Sequence, residues 1–83
     1  MTVTVRYFAS IREALGTGSE AVATQAANVG GLRDELIARG GAYAEALARG
    51  KAVRLALNQA MCEEAAALKD GDEVAFFPPV TGG

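Results

Sequence analysis

Val3, Val5 and Tyr7 alternate with Thr4, Arg6 and Phe8, the two-residue period of a strand that buries one face. Ser10 to Glu13 then reads Ser-Ile-Arg-Glu, a capping box in which the serine oxygen and the glutamate satisfy free backbone N–H groups at a helix start. A short helix is therefore predicted from Ser10 to near Gly16. Glu20 to Gln25 contains Val and Thr and follows the turn-like Gly16 to Ser19, so it predicts a second strand. Asn28 stands where it can cap the next helix. Val29, Leu32 and Leu36 recur at helical spacing on one face, which assigns Arg33, Asp34 and Glu35 largely to the other. Gly30 and Gly31 weaken the first turn by ~1 kcal/mol each relative to Ala, and Gly40-Gly41 stops the helix.

Tyr43 and Leu47 predict a further short helical piece ending at Gly50, and the alternation of Val53, Leu55 and Leu57 predicts a third strand. Asn58-Gln59 reads as a turn into a brief edge strand, Ala60 to Cys62. Leu68 anchors a loop that enters the turn Lys69-Asp70-Gly71-Asp72, and Glu73 to Phe77 is the final strand. Pro78 and Pro79 close it, because neither can donate to a ladder. The order predicts a single α+β domain over residues 1–83, with a main helix crossing a small mixed sheet and residues 78–83 as a flexible C-terminal tail. The second face of the sheet is left open.

Composition narrows the chemistry. At 83 residues the chain buries only about 60–65% of its unfolded surface, which leaves little room for an internal active site. A net charge of −2 gives no reason to expect a nucleic-acid or anionic-membrane partner. No apolar run approaches the ~20 residues of a membrane span and the start lacks a secretory signal, so a cytoplasmic protein is expected. Cys62 is the lone cysteine and histidine is absent. A nucleophilic thiol would need a neighbouring base, so Cys62 reads as a packed hydrophobe, and no metal centre is expected.

Two features point toward a partner. If Val74 and Phe76 face the helix, Ala75 and Phe77 face the other way, and Phe77 joins Phe8 in one apolar patch rimmed by Arg6. Such a patch marks a partner site unless loops cover it. Asp70, Asp72 and Glu73 form an acidic group that is either a solvated turn or a pairing site for basic partner residues. The second feature is the ending Gly82-Gly83. A diglycine is the slimmest peptide a chain can offer and would let a terminal carboxylate enter a narrow channel, although small residues at a terminus are also the ordinary signature of fraying.

The closing run from Leu68 through Asp70-Gly71-Asp72-Glu73-Val74-Ala75-Phe76-Phe77-Pro78-Pro79-Val80-Thr81-Gly82-Gly83 resembles the small subunits of molybdopterin synthase. Tyr7-Phe8-Ala9 followed by Arg12-Glu13, and the central Asn58-Gln59, are similar to the same family. The resemblance implies a ubiquitin-like β-grasp fold and a sulfur carrier of molybdenum-cofactor synthesis. Gly83 would supply the carboxylate, adenylated with ATP by a ubiquitin-activating-type enzyme and then converted to a thiocarboxylate. No resident cofactor is implied. The carrier would pass its sulfur to cyclic pyranopterin monophosphate inside the large subunit, within a heterotetramer. Gly82, Thr81 and Val80 would thread the tail, and Phe8, Phe77, Arg6 and Pro78 would meet the partner. A thiamine-type carrier, a protein modifier joined through Gly83 and a pure interaction module are the alternative readings.

Overall fold

The computed structural model describes residues 1–79. Its elements are β1 (Thr2–Tyr7), α1 (Ala9–Leu15), β2 (Ser19–Ala23), α2 (Val29–Ile37), α3 (Gly41–Ala46), β3 (Arg54–Leu57), β4 (Ala60–Met61) and β5 (Glu73–Phe77). The strands form one sheet in the order β2-β1-β5-β3-β4. β1 and β5 run parallel at its centre, while the β1–β2, β3–β5 and β3–β4 pairs are antiparallel. A mixed sheet with its two terminal strands paired at the centre and its helices on one face is the ubiquitin-like β-grasp architecture.

The alternation in β1 becomes its burial pattern. Val3, Val5 and Tyr7 are buried while Thr2, Thr4 and Arg6 are exposed. Val74 and Phe76 of β5 are 0% exposed and join them under Leu32, Leu36 and Leu47. Each such side chain removed from water contributes about 1.5–3 kcal/mol, so the core between sheet and helices carries most of the fold's stability. Asn58 and Gln59 both take positive φ, 50° and 69°, the backbone of the tight hairpin turn between β3 and β4. Gly71, with φ 86°, supplies the left-handed residue of the turn before β5.

Four local expectations are corrected. No capping box forms at Ser10: Phe8 is the N-cap of α1 without a side-chain cap, because β1 runs directly into the helix through Ala9 at φ 51°. β2 begins at Ser19 and stops at Ala23, since Thr24 turns inward and its hydroxyl donates to Glu35 while accepting the Ala26 N–H. α3 ends at Ala46 with Leu47 as its C-cap, short of Gly50.

The fourth correction concerns Arg33, which lies inside the fold with 4% of its surface exposed. Its Nε donates to the Leu47 carbonyl at 2.8 Å and its Nη2 to the Ala48 carbonyl at 2.8 Å. Those carbonyls follow α3, so a buried guanidinium fastens the segment after that helix. Gly30 serves the same region. Its N–H donates to the Glu64 carbonyl at 2.9 Å, and a Cβ there would meet the Glu64 Cβ at 2.9 Å, so the 62–68 segment can lie close over α2 only because residue 30 is glycine.

Candidate functional site

Of the two faces of the sheet, the one away from the helices carries the exposed apolar surface. Register places Arg6 beside Ala75, Ala75 beside Ala56 and Ala56 beside Met61, in one row across four strands. Next to that row stand Phe77 and Arg54, paired across β5 and β3. Phe8, 42% exposed, meets Phe77 edge to face with centroids 6.4 Å apart. The Arg6 guanidinium lies 5.7 Å from the Phe8 ring centre and 3.8 Å from the Glu73 carboxylate.

Three residues singled out from sequence, Arg6, Phe8 and Phe77, are thus brought together, with Phe8 touching the other two. Ala75 faces their side as expected, yet it is buried. A small side chain on a central strand sinks between longer neighbours, here Phe77 and Glu73 along the strand and Arg6 across it. Met61, 61% exposed, extends the apolar surface to the sheet edge. Sequence reading missed it because a two-residue strand gives no alternation to count.

The chain leaves this surface at Pro78, which lines a small cleft of about 140 Å³ between α1 and the segment leading into β3. Ile11, Ala14, Ala46 and Val53 make the cleft apolar and Lys51 stands at its rim. Val80, Thr81, Gly82 and Gly83, the residues expected to thread and react, lie outside the described residues.

The acidic group at the opposite end of β5 is spent on local structure. Asp72 accepts the Lys69 N–H at 2.8 Å and the Asn58 amide at 3.1 Å, which hold its carboxyl below the usual range, the Asn58 bond first. Asp70 accepts the Thr2 N–H at 2.8 Å, and Glu73 faces Arg6. These contacts close a turn, as a solvated turn requires.

Polar chemistry under the sheet is likewise structural. Glu20 accepts from the hydroxyls of Tyr7 at 2.8 Å and Tyr43 at 2.6 Å, and from Arg39 at 2.9 Å. Burial would raise its pKa, but those three bonds outweigh burial and hold it low. Burial and then Glu20 push the Tyr7 hydroxyl up, and Tyr43 rises by its bond to Glu20. Cys62 follows β4, two strands from Pro78, and burial raises its thiol. Neither group is poised as a nucleophile beside the chain exit. The geometry offers a folded body with an apolar face beside the end of β5. Among the described residues no helix is long and apolar enough to cross a membrane.

Comparison with known proteins covers the chain almost end to end. The profile of the ThiS family matches residues 5–83. The molybdopterin synthase sulfur carrier subunit of Escherichia coli (strain K12) is 44% identical over 81 residues, 98% of this chain and 99% of that protein. A chain of the protein–protein complex of subunits 1 and 2 of molybdopterin-converting factor from Helicobacter pylori 26695 superposes with a TM-score of 0.70 at 30% identity, covering 100% of both chains. The crystal structure of H. volcanii small archaeal modifier protein 1 superposes with a TM-score of 0.77 at 26% identity, over 95% of this chain and 98% of that one.

Proposed function

The chain belongs to the ThiS family, and from that premise we propose that it is the sulfur carrier subunit of a molybdopterin synthase. The observation that carries the reading is the similarity to the E. coli carrier, 44% identical along nearly all of both chains. Gly83 is the reacting residue. Its carboxylate oxygen attacks the α-phosphorus of ATP on a ubiquitin-activating-type enzyme, pyrophosphate leaves, and a sulfur nucleophile then displaces AMP to leave a thiocarboxylate. Activation is needed because a carboxylate is a poor electrophile until joined to a good leaving group. The large subunit receives the tail and directs the sulfur to cyclic pyranopterin monophosphate, toward the dithiolene. Two carriers and two large subunits assemble as a heterotetramer in the cytoplasm.

On this reading each part of the chain has one task. Gly82 keeps the tail narrow, and Thr81 and Val80 give backbone hydrogen bonds and an apolar contact within the channel. Phe8, Phe77, Arg6 and Pro78 seat the body against the partner, with the aromatic pair, desolvated on docking, as the natural anchor. The proton transfers and the substrate pocket belong to the partners.

Deleting Gly83 tests the assignment. Sulfur transfer is expected to vanish while the denaturation midpoint and binding to the large subunit persist. Full transfer without Gly83, or loss of the fold, would contradict it. The likeness to a small archaeal modifier protein favours a second reading, in which the same activated carboxylate is joined to lysines of other proteins. Isopeptide conjugates of this chain in lysate, absent with Gly83 deleted, would support that one instead.

A further inference from the structure

On the carrier reading above, we propose that Lys51 and Arg54 form a basic collar around the chain exit that recognises carboxylates at the mouth of the large subunit's tail channel. The sequence holds eight Lys and Arg residues. Arg6, Arg33, Arg39 and Arg49 are engaged in ion pairs with Glu73, Glu64, Glu20 and, for Arg49, both Asp34 and Glu64. Arg12, Lys51, Arg54 and Lys69 have no carboxylate within ion-pair distance among the described residues. Two of these four are far from the exit or folded away from it. Lys69 lies in the turn before β5, at the opposite end of the strand, and the Arg12 guanidinium lies along the α1–β2 turn beside Gly18. The other two bracket the exit from both sides.

Arg54 is paired with Phe77 across the sheet, so its exposed side chain stands on the apolar face one residue before Pro78. Lys51 rims the cleft that Pro78 enters on the helix side. The carboxylates of the flanking helices, Glu13 on α1 and Glu45 on α3, bond to neither. Lys51 also rests on a built base. Its carbonyl accepts from Arg33 Nη2 at 3.4 Å, its N–H donates to the Ala48 carbonyl at 2.9 Å, and Arg33 itself is buried. A channel that takes the tail must begin beyond the end of β5, so its mouth falls beside these two cations. In a protein of net charge −2, unspent cations at that place complement an acidic rim, and such rim charges act chiefly on the association rate.

The test is the rate of association with the large subunit from the same organism, measured by stopped flow across a range of ionic strength. Lys51→Glu and Arg54→Glu are each expected to slow association about 3- to 10-fold at low salt, with dissociation changed less and the difference shrinking as salt rises. Lys69→Glu makes the same change in net charge at the far end of β5 and is expected to stay within about 2-fold of wild type. Lys51→Arg and Arg54→Lys should retain the wild-type rate. Equal slowing at all three positions, or none at Lys51 and Arg54, overturns the collar. So does loss of the effect in C-terminally amidated protein, because the chain's own terminus would then be the occupant. A wild-type chain that forms no complex at any salt removes the carrier reading itself, whereas a complex indifferent to both reversals removes the collar alone.

Discussion

The two faces of the sheet are built to opposite rules. Under the helices, Val5, Val74 and Phe76 are 0% exposed, and the polar groups that enter that side, Glu20 and Arg33, bind several partners each. On the other face Phe8 and Met61 are exposed, Phe77 is partly covered, and the cations nearest the exit pair with no carboxylate among the described residues. Stability is concentrated on one side, so on the proposed reading the other side keeps its apolar surface for a second molecule. A small domain that must be held by more than one partner gains from that division, because contact residues can serve binding without weakening the core.

The sharpest way to break the comparison is Phe76→Ala. Loss of a fully buried aromatic should cost about 3–5 kcal/mol in a urea titration, most of the margin of a domain this size. Phe77→Ala, one residue along, should cost under about 1 kcal/mol by the same measurement. Equal costs would erase the distinction between faces. Arg33→Met comes next. The carbonyls of Leu47 and Ala48 lose their donor, so about 1–3 kcal/mol should be lost, with faster hydrogen exchange at the Lys51 amide.

Phe8→Ala should act the other way round. The fold is expected to hold within about 0.5 kcal/mol in the same titration. Binding to the large subunit, read by calorimetry, should weaken about tenfold or more. The smallest effect is at Glu20, whose carboxyl is held low in the folded state. Its stabilisation is complete above the unfolded carboxylate pKa and is lost as pH falls through the lower folded value. Glu20→Gln should cost about 1 kcal/mol at neutral pH and flatten the decline of stability between about pH 5 and pH 3. Tyr7 and Tyr43 are raised, so their share persists below about pH 10 and is lost only as pH rises through their folded values.

Much of this arrangement was legible from residues alone. Alternation places β1, the preceding turn and the following prolines place β5, Asn28 caps α2 by accepting the Gly31 N–H at 2.7 Å, and Phe8, Phe77 and Arg6 meet as their parity implies. Arg33 was misplaced although its signal was present. Val29, Leu32, Arg33 and Leu36 fill positions i, i+3, i+4 and i+7 of one stripe, and residue type alone assigns a charged residue there to the solvent side. Ser10 had the spacing of a cap, but a helix that grows straight out of a strand has its N-cap fixed by that strand's end. Lys51 and Arg54 could not be read as a pair, since only the fold brings the loop before β3 alongside the exit of β5. Expectations for Val80 to Gly83 rest on the resemblance and on family membership.

The central claim is that this chain carries sulfur on its terminal glycine. Intact mass, measured after incubation with ATP, a sulfur donor and the cognate adenylating enzyme, tests it most directly. The account predicts a gain equal to exchanging one oxygen for one sulfur, absent when Gly83 is deleted. An unchanged mass, with the enzyme shown active on its own known carrier, would contradict it and leave the apolar face of the sheet as a binding surface without a carried group.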